Sequence, residues 1–124
     1  MLTTAPVIAF VACSNAAGAL AFYRDTLGLT LIADEPFALV FDAAGTPLRI
    51  QKVQAVVAVP YTALGWRVPD MAAAVAGLAA RGVRFERFEG MPQDASGVMT
   101  FPGGAQVAWF KDPDGNLLSL TQFP

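Results

Sequence analysis

Ser14-Asn15-Ala16-Ala17-Gly18-Ala19-Leu20-Ala21-Phe22-Tyr23-Arg24-Asp25-Thr26-Leu27-Gly28 reads as a helix with both ends marked. Ser14 and Asn15 carry side-chain oxygens that can accept from the unpaired N–H groups of a first turn. Ala16, Leu20, Tyr23 and Leu27 follow at spacings of four, three and four, which is one face of a helix. Gly28 suits the left-handed residue that stops one. The same frame returns later in the chain. Asp70 takes the place of Asn15, and Met71, Val75, Leu78 and Gly82 take the places of Ala16, Leu20, Tyr23 and Leu27, each 55 positions on. A cap and an apolar face that recur together at one offset mark an internal repeat.

The flanking segments fit the same plan. Pro6–Cys13 is a short apolar run with β-branched residues, which reads as a strand. After the helix come strand-like runs at Leu29–Ile32, Phe37–Phe41 and Leu48–Val53, with a turn at Ala43-Ala44-Gly45. In the second half, Ala63–Val68, Val83–Phe88, Val98–Phe101, Gln106–Phe110 and Leu117–Gln122 read as strands. Asp112-Pro113-Asp114-Gly115-Asn116 is a dense turn signal. The expected organisation is a single domain over 1–124, with a first module at 5–53, a linker at 54–62 and a second module at 63–122. The fold class is α+β, two tandem βαβββ modules of mostly antiparallel sheet with helices packed outside.

Composition narrows the function. Apolar residues make up 55%, so a chain of 124 residues has material for a core, although many of them are alanines. The net charge is −2 with both signs interspersed, so no basic stripe faces a nucleic-acid backbone. There is no histidine, which removes the commonest general base and the commonest transition-metal ligand together. The single Cys13 has no partner for an internal disulfide and reads as a buried core residue. Residues 1–23 are uncharged apart from the amino terminus, yet Pro6 and Ser14-Asn15 interrupt them and no Lys or Arg precedes them. They are expected to form a strand and a helix of a cytoplasmic protein, with no membrane contact.

Two further stretches carry a resemblance. Phe22-Tyr23 followed by Leu27-Gly28, and Phe110-Lys111-Asp112-Pro113-Asp114-Gly115-Asn116, are similar to the opening-helix and closing-turn motifs of the vicinal-oxygen-chelate family, which includes glyoxalases, bleomycin-resistance proteins and extradiol dioxygenases. The resemblance spans nearly the whole chain. It implies a U-shaped sheet around a cleft, a homodimer and, in many members, a divalent metal that chelates two substrate oxygens. The family's ligand positions fall here on Ile8, Arg49, Ala63 and Ser119, or on Gln51 in place of Arg49 if the register slips by two. Two of these four side chains have no donor atom, one is a permanent cation and one is a neutral hydroxyl. No metal or other cofactor is therefore expected.

Candidate ligand contacts are Arg49 and Gln51, which share one strand face, and the aromatic residues Trp66, Phe101 and Trp109. One of Trp66 and Arg67 should face the cleft, since neighbouring residues on a strand point opposite ways. The plainer reading makes Arg49 a solvated surface residue and each aromatic a core residue. Tyr23 lies on the helix's apolar face and belongs to the core. Asp34, Glu35, Glu86 and Glu89 lie near strand ends and read as surface charge. The expected function is metal-independent binding of a small planar or anionic organic ligand, with a lyase, isomerase or dioxygenase acting through a rearranged site as the alternative.

Overall fold

Side-chain alternation sorts each half of the chain into a covered and an open sheet face. The computed structural model describes all residues from Met1 to Pro124. It divides into two units, Met1–Val57 and Ala58–Pro124. The first contains β1 (Ala9–Cys13), β2 (Thr30–Asp34), β3 (Ala38–Ala43) and β4 (Thr46–Lys52) in the order β1-β4-β3-β2. β1 runs parallel to β4 and the other pairs are antiparallel. The register sets Val11, Ile50 and Leu39 in one row and Ala9, Leu48 and Phe41 in the next, and all but Ala9 are buried. The opposite face carries Phe10, Arg49 and Val40 in one row and Ala12, Gln51 and Ala38 in the other.

The first helix forms where expected but winds differently. Asn15 caps it, its side chain accepting from the Gly18 N–H at 3.0 Å. Regular α1 covers only Ala16–Leu20, and Ala21–Thr26 continue as π-helix, where the Leu27 N–H reaches back five residues to the Phe22 carbonyl. The wider turn keeps Tyr23 fully buried, with Phe22 edge-on to it at 5.1 Å and Phe41 at 6.0 Å. Ala19, not Ala16 or Leu20, is the other buried residue of this segment. β1 is also shorter than the apolar run that announces it, and Ile8 lies just ahead of it, about half exposed.

The second unit repeats the topology. β5 (Leu64–Arg67), β6 (Met99–Thr100), β7 (Gln106–Lys111) and β8 (Leu117–Gln122) lie in the order β5-β8-β7-β6, with β5 parallel to β8. α2 (Met71–Ala80) is a regular helix. Asp70 caps it by accepting from the Ala73 N–H, and Gln122 at the end of β8 accepts from the Met71 N–H at 2.6 Å. Two of the N–H groups that every helix start leaves free are thereby satisfied. Met71 and Val75 are buried, and each is worth about 1.5–3 kcal/mol on burial.

Val83–Phe88 is not a strand. Only Phe85 bridges to β7, opposite Phe110, and the Glu86 N–H donates to the Trp109 carbonyl at 2.8 Å. The chain then leaves the sheet edge and returns at Met99, opposite Val107. Val83 and Phe85 alternate as in a strand, but Arg87 breaks the alternation and side-chain bonds capture the backbone after Glu86. No helix is long and apolar enough to cross a membrane.

Candidate functional site

Three side chains hold the excursion between Glu86 and Met99, Gln93 at its base and Asp94 and Arg87 nearer its tip. Gln93 accepts from the Phe88 N–H at 2.7 Å and donates to the carbonyls of Glu86 and Gly97 at 2.9 and 2.8 Å. Its backbone also bridges to Met99. Asp94 closes the tip. Its carboxylate accepts from the Ser96 hydroxyl and from the N–H groups of Ser96 and Val98, at 2.7–2.9 Å. The Ser96 hydroxyl, and then the Val98 N–H, hold the Asp94 carboxyl below its ordinary value. Arg87 donates to the carbonyls of Asp94 and Gln93.

This excursion makes one wall of a pocket. Phe88 meets Trp109 edge-on, with ring centres 5.4 Å apart and planes at 89°. Around that corner Pro60, Tyr61, Thr62, Glu89, Met91 and Leu117 line a hollow of about 330 Å³ that is open to solvent. Trp109 lies on the open face of the second sheet, directly across from Ser119, which faces Gly65 on β5. The Thr62 hydroxyl donates to the Ser119 Oγ at 3.2 Å, so the pocket adjoins Ser119. A side chain at position 65 would crowd that hydroxyl, since its Cβ would come within 3.0 Å of the Ser119 Oγ.

The other candidates have separate places. Trp66 shares its row with Leu120 and Ala108, both buried, and stacks on Phe110 at 6.3 Å. It belongs to the packed face and not to the open one, as the alternation of β5 requires. Arg67 faces the other way, its guanidinium over the Phe123 ring at 5.4 Å. Phe101 lies past β6 in the tight turn before β7, exposed, with its N–H donating to the Ala105 carbonyl. In the first unit, Arg49 and Gln51 share the open face, and Arg49 is paired with Glu35 at 3.0 Å. That pairing was not legible from spacing, because Glu35 lies beyond the end of β2 and only the antiparallel sheet brings it near β4. Glu89, read as surface charge, turns out to edge the pocket.

A divalent ion does not fit the family's ligand positions in this chain. The parallel partner of Arg49 is Phe10 and that of Ser119 is Gly65, so the slot beside each is without a donor side chain. Ile8 and Ala63 have none either, Arg49 is already engaged with Glu35, and Ser119 is a neutral hydroxyl. No group of three or more His, Cys, Asp or Glu side chains comes together anywhere in the chain. An ion here would lack compensating ligands.

The closing turn has a structural task, as its residue types imply. Asp112 accepts from the N–H groups of Asp114 and Asn116 and from the Asn116 amide, at 2.8–3.0 Å, and both Asp112 and Asn116 are buried.

Two sheets of four strands, each with a parallel outer pair and a helix between the first two strands of the motif, define an α+β protein of tandem βαβββ modules. The chain belongs to the glyoxalase/bleomycin resistance protein/dioxygenase superfamily, whose family model matches residues 5–120. Solved structures agree on the fold. The glyoxalase family protein from Enterococcus faecalis is 19% identical with a TM-score of 0.76, over 98% of this chain and 99% of that one. A superfamily member from Sphaerobacter thermophilus is 24% identical with a TM-score of 0.75, again over 98% and 99%. A lactoylglutathione lyase from Agrobacterium tumefaciens is 18% identical with a TM-score of 0.71, over 97% and 95%. No curated protein sequence matches the chain.

Proposed function

We propose that the protein binds a small planar organic molecule without a metal, and that Trp109 and its pocket are the point of contact. The observation that carries this reading is the aromatic corner of Trp109 and Phe88 on an open hollow of about 330 Å³ next to Ser119. Ligand pockets of soluble proteins begin at roughly that size and are mostly apolar with a few polar groups. A flat ring placed there gains stacking area from rigid side chains at little conformational cost. The loop that presents Phe88 is already tied by Gln93, so little ordering remains for binding to supply.

On the first unit taken by itself, Arg49 and Gln51 form a separate polar patch on the open sheet face. An anionic ligand group there would compete with Glu35 for the guanidinium. The reading also takes the protein as a cytoplasmic homodimer. The exposed Ile8, Phe10, Ile32 and Phe37 of the first unit are apolar surface that a second copy would cover. Light scattering at micromolar concentration should then give twice the 13.0 kDa chain mass.

The test is a titration with two-ring aromatic compounds followed through the indole N–H signals of the two tryptophans. Trp109 should shift and Trp66 should stay fixed. Equilibrium dialysis against Zn, Mn, Ni and Fe should leave no stoichiometric metal on the protein. A retained ion, lost when Ser119 or Gln51 is replaced, would overturn the metal-free reading.

A further inference from the structure

The pocket beside Trp109 has an electrostatic character that narrows its ligand. Its walls are aromatic, aliphatic and thioether groups with the Thr62 hydroxyl, and no Arg or Lys lines it. Glu89 is the one formal charge at its edge, and no ion pair engages it. Two basic residues of the neighbouring segments have partners outside the lining. Lys111 is paired with Glu86 at 3.5 Å, and Arg87 is turned to the carbonyls of Gln93 and Asp94. Aromatic faces carry negative partial charge, and a carboxylate adds a full one. An anion would find no basic group among the lining residues. A neutral ring would use the walls and leave Glu89 idle. A metal ion would find one carboxylate where a hard cation needs several oxygens.

We infer that this pocket takes an organic cation, a planar ammonium or quaternised heteroaromatic molecule whose ring lies against Trp109 and whose positive charge is directed to Glu89. The inference rests on the reading of this pocket as the ligand site and specifies its charge. Three features act together. Trp109 and Phe88 at right angles present two ring systems to one small volume, which suits a charge spread over a flat ligand. Met91 is polarisable and adjusts to the ligand's outline. The Gln93 bonds fix Phe88, and with it the neighbouring Glu89 backbone, before the ligand arrives. A net charge of −2 on the chain favours the approach of cations as well.

The experiment uses three two-ring probes of similar outline and different charge: 1-methylquinolinium, 1-naphthalenemethanol and 1-naphthoate. Each is titrated into the whole protein at low salt while the Trp109 indole N–H is followed, and again into Glu89→Gln and Trp109→Ala. The cation should bind about five- to tenfold more tightly than the neutral probe, and the anion most weakly. Glu89→Gln should bring the cation to within about twofold of the neutral probe and leave the neutral probe unchanged. Raising the salt to 0.5 M should weaken only the cation, because Glu89 is exposed to screening. Trp109→Ala, followed by calorimetry, should remove binding of the cation. Equal affinity of cation and neutral probe, with no effect of Glu89→Gln, would overturn the charge assignment and leave the pocket standing. No response of Trp109 to any of the three would overturn the pocket reading itself.

Discussion

The two modules share a strand order and differ where each sheet ends. In the first, β2 runs as an unbroken edge strand along β3, apart from one irregularity between Leu31 and Ala33. In the second, the corresponding edge survives as a single bridge at Phe85 and two residues at Met99–Thr100, with an excursion of the chain between them. The regular edge leaves an open face with a charge pair, Arg49 and Glu35. The broken edge sets Phe88 beside Trp109 and gives a pocket one of its walls. An edge strand contributes hydrogen bonds to only one neighbour, so opening it disturbs the sheet least and places new side chains at its rim.

The hairpins that close the modules differ as well. β3 and β4 are joined through Ala44 and Gly45, both at positive φ, and Asp42 accepts a single bond from the Gly45 N–H. β7 and β8 are joined by a longer turn in which the buried Asp112 accepts three. Asp112→Ala should therefore cost about 2–4 kcal/mol in chemical denaturation, and Asp42→Ala no more than about 1 kcal/mol. Equal costs would erase the distinction between the hairpins.

Gln93→Ala tests the excursion in the same way. It removes three bonds from a half-buried amide and should cost about 1–3 kcal/mol. Amide exchange should quicken at Phe88 and stay slow in β2, where no comparable side chain ties the edge. Protection lost equally in both modules would mean that the excursion is not a local unit.

Ala44→Asn bears on the first hairpin. Ala44 sits at φ 50°, a conformation that alanine adopts at a cost and asparagine tolerates better. The replacement should stabilise the protein by about 0.5–1 kcal/mol, and a loss of stability would show that the turn is not limited by that residue.

The smallest effect is expected from pH. The folded Asp94 carboxyl titrates below its ordinary value of 3.8, mainly because the Ser96 hydroxyl donates to it. Its contribution is complete above the unfolded value, at pH above about 4, and is lost as pH falls through the lower folded value. The Ser96 and Val98 amide signals should move together over that acid range, and Asp94→Asn should remove the transition while leaving β2 signals unchanged.

The repeat, the two helix caps and the closing turn were legible because each depends on neighbours in sequence. Asn15 and Asp70 cap residues three positions away, and Asp112 bonds Asp114 and Asn116, two and four positions on. The absence of histidine, and of carboxylates or imidazoles at positions 8, 49, 63 and 119, was likewise visible in the sequence. Trp66 and Arg67 were known to face opposite ways, but which one joined the packed face depended on the register of β5 against β8. The π-helical turns of Ala21–Thr26 escaped periodicity, since a widened turn and a regular one carry nearly the same apolar spacing over so few residues.

The sequence by itself determined the repeat, the helix caps and the closing turn, because local spacing and side-chain chemistry decide those. Only the tertiary structure decided that Val83–Phe88 is no strand, that Glu35 holds Arg49 and that Phe88, Trp109 and Glu89 share a pocket. Each of these depends on residues far apart in the chain, or on the competition between a sheet edge and the Gln93 side chain for the same backbone groups. Alternation and spacing carry no record of that competition, which is settled only when the strands have paired.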